Sequence, residues 1–450
     1  MRWTLIALIW TACATPLDAL AQPAPQADPR DLGLLIPNAP PQPSGDRRVL
    51  VKNLQDQVVV GEVHVEIGDR FIVLLPNGRL ISVLQREATV TDRPFVPVTK
   101  EELLEELTGS AFRGFKTSTT RRYVYVYNTS DAFFQGTSRI LETMYPALYA
   151  YCERQDIEVH EPRVPLVMIM FRTEEEYRKY RQIPAEIVAY YNGVNNYVVM
   201  YEQSELAKVA PTLAVKRSIS TIAHEGVHQI LHNIGVQQRL ATWPIWISEG
   251  LPEFFAPTTI DRRIRWKGVG IVNDLRMYNL GEYLKQQPPE AANGGLIRRT
   301  VAATTLDANG YAASWALTHY LAKRHRENFF AFLRAVSERQ ALGEPSKDNA
   351  ELFREHFGDD LAGMQKGMLS HLQKLPYVNP ITNQPHYVAV LNLGNRRTVM
   401  ITTSPNTIAR WQQQALQSLT PAQRAAGRLN VRVFENKALA EQAAQRLLGG

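Results

Sequence analysis

Only two cysteines, Cys13 and Cys152, occur in 450 residues. A disulfide scaffold is therefore excluded, and so is a metal site built on thiolates; any metal must be held by histidine and carboxylate. No run of apolar residues reaches the roughly 20 needed for a membrane-spanning helix. Fifty basic against 44 acidic residues leave +6 without a long basic run, so the clustered patch that marks nucleic-acid binding is missing. Internal repeats at solenoid period are absent too. What remains is ordinary globular usage, 45% hydrophobic and 21% charged, in a chain long enough for two or three domains.

The N-terminus suggests a destination. Arg2 precedes an apolar stretch from Trp3 to Ala14, and Ala19-Leu20-Ala21 forms an A-x-A cleavage site, which together read as a secretory signal peptide over residues 1–21. A secreted or periplasmic protein is expected. Trp10-Thr11-Ala12 before Cys13 fits a lipoprotein signal less well. Cleavage after Ala21 would remove Cys13 and leave Cys152 without a partner.

Residues 22–45 hold seven prolines and read as an extended linker. Over residues 46–95, short β-branched runs alternate with turn signals such as Gly68-Asp69 and Pro76-Asn77-Gly78, and five close strands predict a small SH3-like β-barrel. A larger domain spans residues 120–376, opening on the strand Tyr123 to Tyr127 and continuing into a series of helices. Residues 385–450 read as a small α/β module. Strands first and helices after give an α+β fold class.

Chemistry concentrates in His224-Glu225-Gly226-Val227-His228. On a helix the two histidines fall on one face, one turn apart, so both imidazoles reach one metal ion. Glu225 lies on the flank of that face, placed to take a proton from metal-bound water rather than to ligate. His232 lies about 12 Å along the axis from His224, too far to share that ion, and reads as a packing or surface residue. A catalytic zinc needs a third protein ligand and an open position. Glu249, in Trp246-Ile247-Ser248-Glu249-Gly250, lies 21 residues beyond His228, close enough for a loop and a second helix to return its carboxylate to the metal.

This pattern, H-E-x-x-H followed by W-x-x-E-G, resembles the gluzincin zinc peptidases, the superfamily of thermolysin and the aminopeptidase N-like enzymes. Its nearest likeness is to secreted, poorly characterised bacterial members. The resemblance spans roughly residues 120 to 375, and implies a gluzincin-like domain holding one Zn2+ per chain through His224, His228 and Glu249, with Glu225 as general base. It implies that Glu253 hydrogen-bonds a ligand histidine, the alternative being a solvated helix residue. Tyr311 would donate to the oxyanion, or else serve as a core residue at a helix start. The strand Tyr197 to Tyr201 would be the edge against which a peptide substrate pairs. Two departures matter. No G-A-M-E-N-like segment precedes the zinc helix, which favours an endopeptidase over an aminopeptidase. Pro252 falls inside the second zinc helix, and fits if Ser248 caps that helix.

The expectation is thus a zinc metallopeptidase acting on a peptide or protein substrate. Its rival is a catalytically silent zinc-domain scaffold whose flanking modules grip an envelope protein. A zinc hydrolase of non-peptide amides would share the same metal chemistry.

Overall fold

The structure, a computed structural model, describes residues 9–11, 28–109, 111–184, 187–203, 211–260, 264–345, 347–380, 382–393, 396–403, 405–417, 420 and 427–449. Most of the expected signal peptide, Cys13 included, lies outside the described residues. The chain divides into two compact units: Ala21–Glu202 with Ile219–Pro376, and Met1–Leu20 with Gln203–Ser218 and Tyr377–Gly450.

The larger unit begins with a six-stranded antiparallel sheet. Its order is Leu80–Leu84, Arg70–Leu74, Val58–Ile67, Arg48–Lys52 and Thr89–Val90, with Pro41–Gln42 paired to the far end of the long strand. The sheet is open, which corrects the expected barrel. Closure would require its two outer strands to meet, but Thr89–Val90 is only two residues long. The amide of Leu80 on the other outer strand donates instead to the carbonyl of Val194, 2.8 Å away.

A second sheet of five strands carries the site. Its order is Ala189–Asn192, Tyr197–Gln203, Leu166–Thr173, Tyr123–Tyr127 and Lys116–Thr119. The strand Tyr197–Gln203 is therefore internal, and the edge belongs to Ala189–Asn192, which the sequence pattern did not single out. Alternation explains how this sheet is covered on both faces. Tyr123, Tyr125, Met168, Met170, Val198 and Met200 face the main core, while Val124, Val126, Ile169 and Val199 face a second cluster. Helices α1 (Lys100–Gly109) and α3 (Glu174–Tyr180) supply Leu103, Leu107 and Tyr177 to that second cluster; α2 (Asp131–Glu153) packs into the main core.

The helices that follow are α4 (Pro211–Asn233), α5 (Ile245–Phe255), α6 (Asp274–Lys285), α7 (Gly295–Ala302), α8 (Ala308–Arg324), α9 (Arg326–Ser337), α10 (Asn349–Phe357) and α11 (Leu361–Leu372). Helix α5 starts at Ile245 with Pro244 as its cap residue, and no side chain caps it. Ser248 is thus interior and Pro252 sits in the eighth position, against the expected cap. One backbone bond, to the Ser248 carbonyl, is forgone; the helix persists because every residue from Trp246 to Phe255 is buried. At Gly250 it crosses α8 closely, since a Cβ there would lie 2.2 Å from Thr318 Oγ1.

In the smaller unit, the short strand Ile9–Thr11 pairs in parallel with Arg396–Thr402, which is followed across the sheet by His386–Leu393 and Arg428–Phe434. Ile408 of α12 (Pro405–Gln417) packs on one face, and Ala440 and Ala444 of α13 (Lys437–Gly449) on the other. Among the described residues, no helix is long and apolar enough to cross a membrane.

Candidate metal centre

Helix α4 buries Ile222, Ala223, Val227 and Ile230 in the main core. Gly226 lets it approach α2, where a Cβ would meet Leu141 Cδ2 at 2.4 Å. The opposite stripe of the helix presents His224 and His228, and the return of α5 brings in Glu249. His224 Nε2 lies 3.1 Å from Glu249 Oε2 and 3.2 Å from His228 Nε2, and His228 Nε2 lies 3.5 Å from Glu249 Oε2. One potential ligand atom from each residue falls within 4.8 Å of the others. All three side chains are buried.

Around this trio stands a shell of buried charge. Glu253 Oε1 lies 3.1 Å from His224 Nδ1 and accepts from Arg276 Nη2 at 2.5 Å, while Asn273 Nδ2 donates to Glu253 Oε2 at 2.8 Å. Asn273 caps α6 through the Arg276 amide, so a single helix start delivers both groups. Neither was legible in the sequence: an Asn-Asp pair signals a helix cap, and nothing signals that this cap faces the site. Glu225 accepts from the backbone N–H of Tyr191 at 2.8 Å through Oε2. Its other oxygen, Oε1, is buried without a hydrogen-bond partner among the described residues.

Tyr311, at the start of α8, is buried with its ring 6.2 Å from that of His224 and with the Arg276 guanidinium 5.1 Å from its ring centre. His232 is also buried. Its Nδ1 lies 3.1 Å from the Gln237 carbonyl, and its ring stacks on Tyr191 at 5.3 Å; it is not part of the trio.

The electrostatics test whether a cation fits. Glu225, Glu249 and Glu253 are buried against one guanidinium, Arg276. If all are ionised, two negative charges are in excess, which is costly in a dry interior unless a counter-charge is bound. A dication on two imidazoles and a carboxylate would supply it, and nitrogen with oxygen donors suits zinc. Without a metal, protons do the work. Burial would lower His224, but Glu249 and Glu253 outweigh it and hold the imidazole at about 10. Burial pushes Glu225 up to about 8, partly offset by His224. Burial also opposes ionisation of Glu249 and Glu253, yet the histidines hold the first at about 2, and Arg276 with His224 holds the second at about 2. Burial and the neighbouring Glu249 drive the Tyr311 phenol well above its ordinary range, so it stays a hydrogen-bond donor.

A family described as a protein of unknown function (DUF1570) matches residues 218–343, the stretch that holds every residue of the shell except Tyr191. No curated protein matches the chain. Among solved structures, it is similar to a two-domain M1 zinc metallopeptidase mutant bound to L-arginine, at 13% identity and a TM-score of 0.26, over 59% of this chain and 52% of that one. It is also similar to an M1 zinc metallopeptidase from Deinococcus radiodurans, at 14% identity and a TM-score of 0.25, over 58% of this chain and 52% of that one. The chain spans about half the length of these structures, and overlap at this level assigns neither fold nor activity.

Proposed function

We propose that this chain is a secreted or periplasmic zinc peptidase that hydrolyses peptide bonds, as an endopeptidase rather than an aminopeptidase. The observation that carries the reading is the buried trio of His224, His228 and Glu249 beside a carboxylate, Glu225, that is held by one oxygen and unpartnered at the other. A scaffold needs the ligands but has no use for such a base. Zinc held by the trio would supply Lewis acidity, polarising a carbonyl and making water acidic near neutral pH.

The chain's own residues do the rest. The Tyr191 amide fixes Glu225 Oε2, leaving Oε1 to accept a proton from the attacking water and to pass it to the leaving amine. Tyr311 donates its phenolic hydrogen to the oxygen of the substrate carbonyl as negative charge builds there. Glu253, anchored by Arg276 and Asn273, orients the His224 ring from behind.

Elemental analysis of the purified chain beside Glu249→Ala tests the site, and mass spectrometry of a digested peptide library tests the activity. About one zinc per chain, sharply weakened in the variant, with internal cleavages in the library, is expected. Absence of tightly bound metal in chelator-free preparations would overturn the reading, leave H-E-x-x-H as a relic and favour a binding protein without catalysis.

A further inference from the structure

The proline-rich stretch read as a linker is docked from Asp31 onward. Leu34 is only 3% exposed and packs with Ile67, Ile72, Leu80 and Val194. The Leu35 carbonyl accepts from Ser82 Oγ at 2.6 Å, the Asp31 carbonyl accepts from Arg181 Nη2 at 3.2 Å, and Pro41 and Gln42 pair with Ile67 and Glu66. Residues 28–42 therefore form a wall held at Asp31, Leu34, Leu35, Pro41 and Gln42. Opposite them, across a cavity of about 1050 Å³, lie Trp243, Ser248 and the metal ligand Glu249.

Both sides of the cavity contribute apolar side chains, set among polar ones such as Thr304, Thr305 and Gln340. Leu32 and Ile36 come from the segment, and Leu240, Trp243, Ile245 and Leu342 from the peptidase domain. Apart from Glu249 at the metal centre, the charges named in its lining are spent or peripheral. The buried Arg239 guanidinium already donates to the carbonyls of Gly193, Gly78 and Val194, while Asp28, Arg30 and Glu344 are exposed. The prolines at 37, 40 and 41 fix φ, so the wall is preorganised and loses little freedom when a ligand packs against it.

Building on the peptidase reading, we propose that residues 28–42 are the specificity wall of the enzyme. The cavity takes a large apolar side chain of an extended peptide held at the metal centre, and Ile36 sets the size of side chain admitted. The N-terminal sheet is then the platform that holds this wall, through the strand Val58–Ile67.

The test uses the full zinc-loaded chain, with Ile36→Trp to fill the cavity and Ile36→Ala to enlarge it. Substrates are peptides identical except for Ala, Phe, Trp or Asp at each position flanking the cleaved bond. The wild type should prefer Phe over Ala and reject Asp at one flanking position. Ile36→Trp should cut the Phe-to-Ala ratio of kcat/KM about tenfold, and Ile36→Ala should raise the ratio for Trp, with zinc content unchanged in both. Unchanged ratios in both zinc-loaded variants would overturn the wall. Should the zinc-loaded wild type cleave none of the peptides, the peptidase reading fails separately. Calorimetric Kd values for the same peptides then decide the wall: discrimination lost in Ile36→Trp supports it, and absence of binding overturns it.

Discussion

At the scale of the residue, Glu225 is the group on which the proposed reaction turns. Its Oε2 is tethered by the Tyr191 amide and its Oε1 is unpartnered, so Glu225→Gln preserves shape while removing the proton acceptor. That variant should keep its zinc and lose about 10²- to 10⁴-fold in kcat, as read by elemental analysis beside steady-state kinetics. Arg276 acts at one remove. It holds Glu253, which faces His224 Nδ1, and Arg276→Met should weaken zinc affinity about 10- to 100-fold in a chelator competition. Zinc must also displace the proton that the neighbouring carboxylates hold on His224, and its charge opposes the proton that burial keeps on Glu225. Zinc uptake should therefore release protons, and affinity should fall as pH falls; titration calorimetry in buffers of different ionisation enthalpy measures this. Histidines one turn apart announce the candidate ligands in the sequence, because that spacing is a property of one helix. Arg276, Asn273 and the Tyr191 amide stay silent, because their roles depend on which helix start and which strand edge fold against α4.

Among the elements, the approach of α5 to α8 places Glu249 near Tyr311. Gly250 permits it, and a methyl group there would collide with Thr318 Oγ1 and with the Ser314 carbonyl, at 2.2 and 2.9 Å. Gly250→Ala should cost about 1 to 3 kcal/mol and lower the fraction of zinc-loaded chains, both visible in thermal melts with and without added zinc. Arg239 joins elements in another way. It donates to three backbone carbonyls, that of Gly78 in a turn of the N-terminal sheet and those of Gly193 and Val194 beside the edge strand. Removing it leaves buried acceptors unpaired. Arg239→Met should therefore destabilise the chain by about 3 kcal/mol or more, measured by urea unfolding. The sequence pattern identified the long helices and the strand Tyr123 to Tyr127. It misplaced the sheet edge, because alternation tells which residues are strand and not which strand pairs with which.

For the whole molecule, stability should depend on buried histidine as well as on metal. His319 is 2% exposed, with its Nδ1 3.1 Å from His371 Nε2. Burial, reinforced by the charges of His371 and Lys323, lowers it to about 4. The unfolded chain takes up this proton below about pH 6.5 while the folded chain does not until about pH 4. The contribution is thus fully present above pH 6.5, is lost as pH falls toward 4, and amounts to about 3 kcal/mol. Urea unfolding of the wild type and His319→Leu at pH 7 and pH 4 should show the smaller pH-linked loss in the variant.

By itself, the sequence determined the α+β mixture, the reach of two imidazoles to one ion, and Glu249 as the candidate third ligand. The first two follow from local periodicity and from the short list of side chains that hold a metal, and the third from the resemblance of W-x-x-E-G to the gluzincin pattern. Tertiary structure decided the remainder. It opened the expected barrel, because Leu80 gives its amide to Val194, in the turn that joins two strands of another sheet. It carried Pro252 within α5, because complete burial outweighs one forgone backbone bond. It turned a proline-rich stretch into a cavity wall, because Leu34 finds a core assembled from strands and loops far along the chain. Each outcome depends on partners distant in sequence, and local pattern holds no record of them.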